Sequence, residues 1–134
     1  MIKIQVSKKV KKRGAIVVII DEQNRTLLLK RHPQSSWAPK LWGYPGGKIE
    51  KGESYIETAT RETKEETNFD VLNLQVLPVE DDSRVAAYYT RRYEGDLKLD
   101  WEHEAWAWVS RSDAEEYDLA PNVLEMYDWV LKNG

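Results

Sequence analysis

The alternation of apolar and polar residues along this chain predicts a series of short strands separated by turns. At the N-terminus, Ile2, Ile4 and Val6 alternate with polar residues, which is typical of a strand with one buried face. Runs rich in apolar and β-branched residues, bounded by polar or glycine-containing segments, predict the other strands. They cover residues 15–20, 26–31, 41–44, 69–79, 85–93, 97–101 and 105–109. A hairpin-like turn is predicted at 21–24 and a loop at 32–40.

A helix is predicted from about residue 54 to residue 68 by its capping residues and its periodicity. Ser54 and Glu57 match the S-x-x-E pattern of a capping box, and Asn68 tolerates the left-handed conformation that ends many helices. At about 100° per residue, one face of this helix packs on a sheet while the neighbouring acidic face lines a cleft. The sheet face comprises Ile56, Ala59, Thr60, Thr63 and Thr67, and the acidic face comprises Glu62, Glu65 and Glu66.

The C-terminal part of the chain predicts two further helices. A short helix is predicted over 112–117 after Ser110, and an amphipathic helix over 121–131 has Pro121 near its first turn. The residues predicted to face the core are Val123, Met126, Tyr127 and Val130. Because strands and helices mix without a regular βαβ alternation, the predicted fold class is α+β, a mixed β-sheet flanked by helices.

Length, charge and cysteine content narrow the class of protein. The 134 residues suit one domain, 1–134, with one core. A formal net charge of -3 gives no general attraction to nucleic acid or membranes. The absence of cysteine excludes disulfides, thiol nucleophiles and zinc-thiolate sites, and it fits a reducing compartment such as the cytoplasm. No secretory signal or transmembrane run is predicted, and the sequence leaves monomer and homodimer open.

A cluster of acidic residues carries the candidate chemistry. Glu62, Glu65 and Glu66 are spaced three and four residues apart, so their carboxylates can converge on one side of the helix. Such a cluster repels itself unless a cation lies among its members. Three carboxylates, completed by water and substrate phosphates, suit Mg²⁺, with Mn²⁺ as an alternative. A metal on clustered carboxylates indicates phosphate chemistry. The alternative interpretation is a solvated Glu/Lys/Arg helix face.

Two further features support a metal site over a solvated helix face. Arg61 can bond both Glu65 and the isolated Glu53, so we predict that it holds glutamates in place. Gly46 and Gly47, after Pro45, predict a sharp turn at which the backbone approaches a ligand closely.

These residues together resemble the Nudix box, whose pattern is G-x5-E-x7-R-E-U-x-E-E-x-G-U with U a bulky apolar residue. The matching positions are Gly47, Glu53, Arg61, Glu62, Glu65, Glu66 and Phe69. Thr63 at an apolar position and Asn68 at the last glycine depart from the pattern. Thr63 still offers a methyl group, and neither position is a metal ligand in the family. The resemblance implies an α/β/α sandwich and a hydrolase that cleaves a nucleoside diphosphate linked to a further group.

The resemblance also implies roles for individual residues. Glu62, Glu65 and Glu66 would bind the metal together with Gly46 and Glu102, while Arg61 and Glu53 would orient the glutamates. The catalytic base varies within the family, so Glu62, Glu66 and the later-loop Glu102 are all candidates, with Glu104 as second choice on that loop. The alternative for Glu102 and Glu104 is a pair of surface acids before a strand. His32 and His103 are not expected to form a metal site.

The segment 41–50, LWGYPGGKIE, resembles the MutT-like branch of the family, which acts on nucleoside triphosphates, often oxidised ones. Trp42, Tyr44, Tyr88 and Tyr89 are candidates for stacking on a base, with packing in the core as the alternative. Lys48 is a candidate for contacting a phosphate, with simple exposure as the alternative. No residue specifies which base is bound.

The leading hypothesis is a Mg²⁺-dependent pyrophosphohydrolase that releases a monophosphate and pyrophosphate from a small-molecule nucleoside triphosphate. One alternative is a hydrolase of dinucleoside polyphosphates or of RNA 5′-pyrophosphates. The basic cluster at 8–13, otherwise a solvated turn, is the only feature that favours RNA. A second alternative is a non-catalytic nucleotide-sensing module, which would be expected to have lost carboxylates of the box.

Overall fold

A computed structural model describes residues 11–80 and 83–134, in which small β-sheets lie between helices. The predicted strand at Ile2–Val6 and the lysines at 8 and 9 fall outside the described residues. The strands are β1 (Gly14–Ile19), β2 (Thr26–Arg31), β3 (Trp42–Gly43), β4 (Gly46–Lys48), β5 (Asp70–Leu72), β6 (Gln75–Leu77), β7 (Val85–Thr90), β8 (Arg92–Glu94) and β9 (His103–Val109). The helices are α1 (Tyr55–Thr67), α2 (Arg111–Ala114) and α3 (Val123–Asn133).

The strands pair in three sheets of mixed direction. Their orders are β4-β1-β7-β6, β3-β2-β9 and β5-β8. Strands β1 and β7 run parallel, and the other pairs are antiparallel. This is the mixed-sheet α+β architecture that the sequence predicts, with β1 at the centre and β4 beside it.

Alternate residues of β1 and β2 face two hydrophobic cores. Val18 and Leu28 lie in a core with α3, whose Tyr127 is fully buried and donates to the Val109 carbonyl at 2.9 Å. Val17 and Leu29 lie in a second core that includes residues of α1. The sheets are therefore covered on both faces, which gives the α/β/α layering. None of the helices in residues 11–80 and 83–134 is long and apolar enough to cross a bilayer.

Two long predicted strands are each broken in two. The segment 69–79 forms β5 and β6, which belong to different sheets, because Asn73 between them adopts a left-handed φ of 53°. The segment 85–93 forms β7 and β8, divided at Arg91. The hydroxyl of Thr90, at the end of β7, donates to the carbonyl of Leu72 and accepts from the amide of Arg92 at 3.0 Å. The Thr90 hydroxyl thus joins the end of β5 to the segment between β7 and β8.

The strand predicted at 97–101 is also wrong. Leu97 and Leu99 pack against the second core, but this segment pairs with no strand among the described residues. The Lys98 amide instead donates to the carbonyl of Thr67 at the end of α1, at 2.9 Å. Leu97 and Leu99 alternate with polar residues because they pack beside the end of α1. The segment does not form the hydrogen bonds of a strand with a neighbouring strand.

Helix α1 begins and ends as predicted, and Ala59, Thr63 and Thr67 of its predicted sheet face are buried, whereas Ile56 and Thr60 are not. The Ser54 side chain accepts from the Glu57 amide at 3.2 Å, the Glu57 carboxylate accepts from the Ser54 amide at 3.0 Å, and Asn68 has a left-handed φ of 67°. Ile56 is 43% exposed and Thr60 is exposed, so their predicted burial is wrong. The buried residues are Thr58, Ala59, Thr63, Glu66 and Thr67. The helix is turned so that Glu66 lies inside the interface, where the Gly46 amide binds its carboxylate.

The C-terminal helices lie close to their predicted positions. Ser110 caps α2, which ends at Ala114, three residues before the predicted end. Helix α3 begins at Val123, so Pro121 precedes it; Val123 and Val130 are buried as predicted, while Met126 is half-buried.

Candidate active site

Strand β4 brings the glycines against the sheet and the first glutamate of α1. Residues 46–48 form a strand antiparallel to β1, so the turn predicted at Gly46 and Gly47 is wrong. A Cβ at Gly46 would lie 2.3 Å from the Ala15 carbonyl oxygen, and a Cβ at Gly47 would lie 2.3 Å from Cδ of Glu62. Glycine is required here because the backbone meets its neighbours closely, and at Gly47 that neighbour is a carboxylate.

Arg61 lies at the centre of an ion-pair network with the acidic residues of the loop and helix. Its Nε and Nη2 donate to the two carboxylate oxygens of Glu53 at 2.7 and 3.0 Å, a bidentate contact. Its Nη1 donates to Glu62 at 2.9 Å and to Glu65 at 3.3 Å. Nη2 also donates to the Lys48 carbonyl at 3.1 Å, which ties the helix to β4. The predicted contacts of Arg61 with Glu53 and Glu65 are therefore present.

Glu53 is held ionised by this network. Besides Arg61, its carboxylate accepts from the Glu50 amide at 2.9 Å and from the Thr58 hydroxyl at 3.0 Å. The hydrogen bonds from Arg61, and then from the Glu50 amide, lower the pKa of Glu53 to about 2. Glu53 is therefore ionised at neutral pH and anchors the guanidinium group.

Glu66 lies in the opposite kind of environment. It is only 1% exposed, although the sequence places it on a cleft-lining face. Its Oε1 accepts from the Gly46 amide at 2.9 Å, and no lysine or arginine in the described residues pairs with it. Burial raises the pKa of Glu66 well above its ordinary value, and the charges of Glu62, Asp100 and Glu102 raise it further.

His103 is a site residue that the sequence reasoning missed. Its side chain is 2% exposed, its Nε2 lies 4.0 Å from Oε2 of Glu66, and its Nδ1 lies 2.9 Å from Oδ1 of Asp100. Strand β9 delivers His103 opposite Arg31 of β2, next to a register shift. The one sequence feature that could have identified His103 is its position next to the acidic residue Glu102. The burial of its imidazole could not be predicted, because it depends on the pairing of β2 with β9.

Glu62 and Glu102 complete the acidic neighbourhood, whereas Glu104 is engaged elsewhere. Burial raises the pKa of Glu62 despite its contact with Arg61, and the charges of Glu65 and Glu102 add to this. His103, the first residue of β9, lies 4.0 Å from Glu66, so the loop before β9 lies beside α1, and the charge of Glu102 in that loop raises the pKa of both Glu62 and Glu66. Glu104 pairs with Lys30 at 3.0 Å.

The site residues fit a hard divalent cation in their chemistry. A buried carboxylate with like-charged neighbours and no lysine or arginine partner is costly unless it is protonated or a cation joins it. Glu62, Glu66 and Glu102 supply the oxygen donors that such a cation prefers. No three acidic or histidine side chains of the described residues are already arranged as ligands. Arg61 is one reason why these carboxylates do not converge, because it binds the carboxylates of Glu62 and Glu65.

The predicted base-stacking aromatics pack against the cores. Trp42 contacts Tyr117 edge-on at 5.1 Å between ring centroids, and the Tyr44 hydroxyl donates to the Val123 carbonyl at 2.8 Å. Tyr89 lies 5.6 Å from Trp129, and Tyr88 packs against the second core. Contact of these residues with a base stays a prediction. Trp101, adjacent to Glu102, is 83% exposed.

Residues 10–130 match the family profile of the NUDIX domain. Over 112 residues the chain is 30% identical to the CTP pyrophosphohydrolase of Escherichia coli (strain K12), covering 79% of this chain and 82% of that enzyme. It is 28% identical over 126 residues to nucleoside triphosphatase NudI of E. coli O81 (strain ED1a), covering 81% and 89% of the two chains. The crystal structure of the MutT protein from Methanosarcina mazei Go1 superposes with a TM-score of 0.69 at 26% identity, covering 95% and 99%.

Proposed function

Because the chain belongs to the Nudix family of pyrophosphohydrolases that act on nucleotides, we propose that it hydrolyses nucleoside triphosphates to nucleoside monophosphates and pyrophosphate. The observation that carries this proposal is the buried Glu66 beside Gly46, grouped with Glu62 and Glu102 and braced by the Arg61–Glu53 contact. The names of the two E. coli relatives, a CTP pyrophosphohydrolase and a nucleoside triphosphatase, support the same substrate class.

Nudix hydrolases generally need a divalent metal, and we propose Mg²⁺, with Mn²⁺ as a substitute. Glu62, Glu65, Glu66 and Glu102, with the backbone of Gly46, would hold it. When bound, such an ion neutralises phosphate charge and lowers the pKa of coordinated water.

The protein residues position the carboxylates and receive the proton. Arg61 and Glu53 hold Glu62 and the β4 backbone in register, so the acidic groups stay close despite their repulsion. A carboxylate oxygen of Glu62, Glu66 or Glu102 takes the proton from the attacking water. In the metal-free protein burial raises the pKa of Glu62 and Glu66, and a bound cation would lower it again by favouring the ionised carboxylates.

The base of the nucleotide would stack on an aromatic side chain outside the carboxylate cluster. Trp42, Tyr44 and Tyr88 remain candidates, and the structure adds Trp101 because it is exposed beside Glu102. An exposed aromatic ring stacks on any base with little sequence preference. This arrangement favours activity on more than one nucleoside triphosphate.

A nucleotide panel tests the proposal. Ribo- and deoxyribonucleoside triphosphates, including oxidised ones, are assayed with Mg²⁺, Mn²⁺ or EDTA, and released pyrophosphate and phosphate are measured separately. We expect pyrophosphate with metal and no turnover with EDTA. Tight binding without turnover across the panel would contradict the proposal and support a sensing module. Preferential turnover of a dinucleoside polyphosphate would reassign the substrate class.

A further inference from the structure

Trp37 is an exposed tryptophan on the loop that joins β2 to β3. This loop comprises residues 32–41, and Trp37 is 57% exposed. Single exposed apolar residues are common on protein surfaces, so exposure alone gives Trp37 no role. The contacts that hold its ring, and the position of its loop beside the carboxylate cluster, do indicate a role.

Arg31, the last residue of β2, holds Trp37 in place. Its Nε donates to the Trp37 carbonyl at 2.6 Å. Its guanidinium group also lies over the indole ring, 5.4 Å from the ring centroid, which is a cation–π contact. Because the guanidinium group covers one face of the ring, the opposite face is the one available to a ligand.

The backbone next to Trp37 is strained. Ala38 and Lys40 have φ angles of 45° and 65°, in the left-handed region that side chains such as these rarely occupy. The Lys40 amide donates to the Arg31 carbonyl and the Leu41 amide donates to the Ala38 carbonyl, both at 3.2 Å, and these bonds hold the conformation. Strained backbone of this kind is concentrated at ligand-binding segments. Trp37 is therefore presented by a preorganised loop.

The loop of Trp37 begins beside the carboxylate cluster. Arg31 pairs with His103 across the β2–β9 ladder, and the Cα atoms of such pairs are about 5 Å apart. The Nε2 of His103 in turn lies 4.0 Å from Oε2 of Glu66. The Trp37 ring, which Arg31 contacts, is thus connected to Glu66 through the neighbouring residues Arg31 and His103.

A second exposed tryptophan lies on the adjoining loop. The His32 amide donates to the Glu102 carbonyl at 2.9 Å, so the loop before β9 and the loop of Trp37 are hydrogen-bonded to each other. Trp101, next to Glu102, is also exposed. The surface beside the carboxylate cluster therefore carries aromatic side chains on two adjoining loops, and planar ring systems are the ligands that such side chains bind.

Resting on the function proposed above, we propose that Trp37 stacks on the base of the nucleotide whose phosphates lie at the carboxylate cluster, through the ring face that Arg31 leaves open. Stacking tolerates every base, because each base has a π-face. Trp37 thus distinguishes nucleotides from phosphate compounds that have no planar ring. It lies outside the stacking candidates suggested by the sequence, of which Trp42 and Tyr44 pack in the core with α3.

Calorimetric titration with two ligands tests the stacking without turnover. The ligands are an α,β-methylene nucleoside triphosphate, whose α–β bond is not hydrolysed, and inorganic tripolyphosphate, which has no base, each with Mg²⁺. We expect Trp37→Ala to lower the affinity for the nucleotide analogue about tenfold, because a stacked ring is lost. The affinity for tripolyphosphate should stay unchanged, because no charge is removed. Trp37→Phe should retain most of the binding of the analogue.

Trp106→Ala is the matched control, because Trp106 is an exposed tryptophan within β9 and lies on neither loop. It should bind both ligands as wild type does. An unchanged affinity of Trp37→Ala for the analogue, or an equal loss in Trp106→Ala, would overturn the stacking. Equal losses of Trp37→Ala for the analogue and for tripolyphosphate would also overturn it, because the effect would then lie at the phosphates.

Steady-state kinetics test whether the stacking serves the substrate. For Trp37→Ala we expect KM for a nucleoside triphosphate to rise about tenfold while kcat changes little, because binding common to the ground state and the transition state is lost. A fall in kcat with unchanged KM would overturn the assignment. A wild-type protein that binds the analogue but turns over no nucleotide would overturn the proposed function, and the calorimetric comparison would still decide the stacking. A wild-type protein that binds neither ligand would overturn both.

Discussion

The imidazole Nε2 of His103 lies 4.0 Å from Oε2 of Glu66, and both side chains are 2% exposed. Asp100 holds the other ring nitrogen at 2.9 Å, so the ring is fixed between two carboxylates. At 4.0 Å the ring lies beside the Glu66 carboxylate without a hydrogen bond to it, and the Gly46 amide bonds that carboxylate at 2.9 Å. We therefore predict that His103 positions Glu66 by packing against it.

His103→Asn should weaken activity through Glu66. We expect metal affinity or kcat/KM to fall about 10- to 100-fold, the usual cost of losing a residue that orients a metal ligand. Metal titration by calorimetry and kinetics at saturating metal separate the two effects. His32→Asn is the matched control, because His32 is the other histidine of the chain and contacts the loop amide of Gln34. Equal effects of the two substitutions would contradict the positioning role.

Gly47→Ala should displace Glu62 without removing a carboxylate. The new Cβ would lie 2.3 Å from Cδ of Glu62, so the side chain must move away from Arg61. We expect kcat/KM to fall about 100-fold, as for a small misplacement of a catalytic group. Measurements at several metal concentrations show whether the loss is in metal binding.

Gly52→Ala is the control for Gly47→Ala. Nothing lies within 4 Å of a Cβ at this position, but the left-handed φ of 87° makes alanine unfavourable by about 1 kcal/mol. We expect a lower melting temperature with activity retained at 25 °C. If Gly47→Ala behaved in the same way, the close approach to Glu62 would have no functional importance.

Arg61→Lys should show that the guanidinium shape matters as well as its charge. A lysine cannot contact Glu53 bidentately while also reaching Glu62 and the Lys48 carbonyl. We expect kcat/KM to fall about 10- to 100-fold. The pKa of Glu53, about 2 in the wild type, should rise toward its ordinary value in carboxyl-detected NMR titrations.

The sign of the Glu53 effect on stability follows from that lowered pKa. Its contribution is fully present above about pH 4.3, the pKa of an unfolded glutamate, and is lost as pH falls toward 2. Arg61→Lys should therefore lose part of this acid resistance. An unchanged Glu53 titration in the variant would show that the other hydrogen bonds suffice to hold its pKa down.

Local features of the sequence predicted elements whose ends are fixed by nearby residues. The Ser54–Glu57 capping box and the left-handed Asn68 are local hydrogen-bonding and backbone preferences, so α1 is where the pattern places it. The breaks at Asn73 and Arg91 depend on which strands pair across the fold, and apolar content alone does not record this. Asn73, a residue tolerant of positive φ, was the available local signal for one of them.

The sequence located the acidic residues of the site but not their environments. Spacing along α1 brings Glu62 and Glu66 near each other, whereas the burial of Glu66 follows from contacts with β4 and β9, which are distant in sequence. The contact between His103 and Glu66 is likewise assembled from separate segments. Such groupings depend on tertiary pairing, so periodicity could not predict them.

Glu66→Gln should strongly reduce activity while stabilising the metal-free protein at neutral and higher pH. The substituted side chain would keep an oxygen for the Gly46 amide but carry no buried charge. In the wild type the folded pKa of Glu66 is raised above the unfolded value of about 4.3. Between these two values the native state binds more protons than the unfolded state, so stability falls as pH rises through this window. The variant lacks this loss, and we expect its turnover to be lower by orders of magnitude.

The free energy of unfolding of wild type and of Glu66→Gln is measured with denaturant in EDTA at pH 5, 6, 7 and 8. The difference between the two proteins isolates Glu66, because the titrations of all other groups cancel in it. The difference should favour the variant increasingly as pH rises. Added Mg²⁺ should then stabilise the wild type more than the variant, because a ligand stabilises the state that binds it. A pH-independent difference would show that Glu66 titrates alike in both states. Equal stabilisation by Mg²⁺ would show that the carboxylate of Glu66 does not hold the metal.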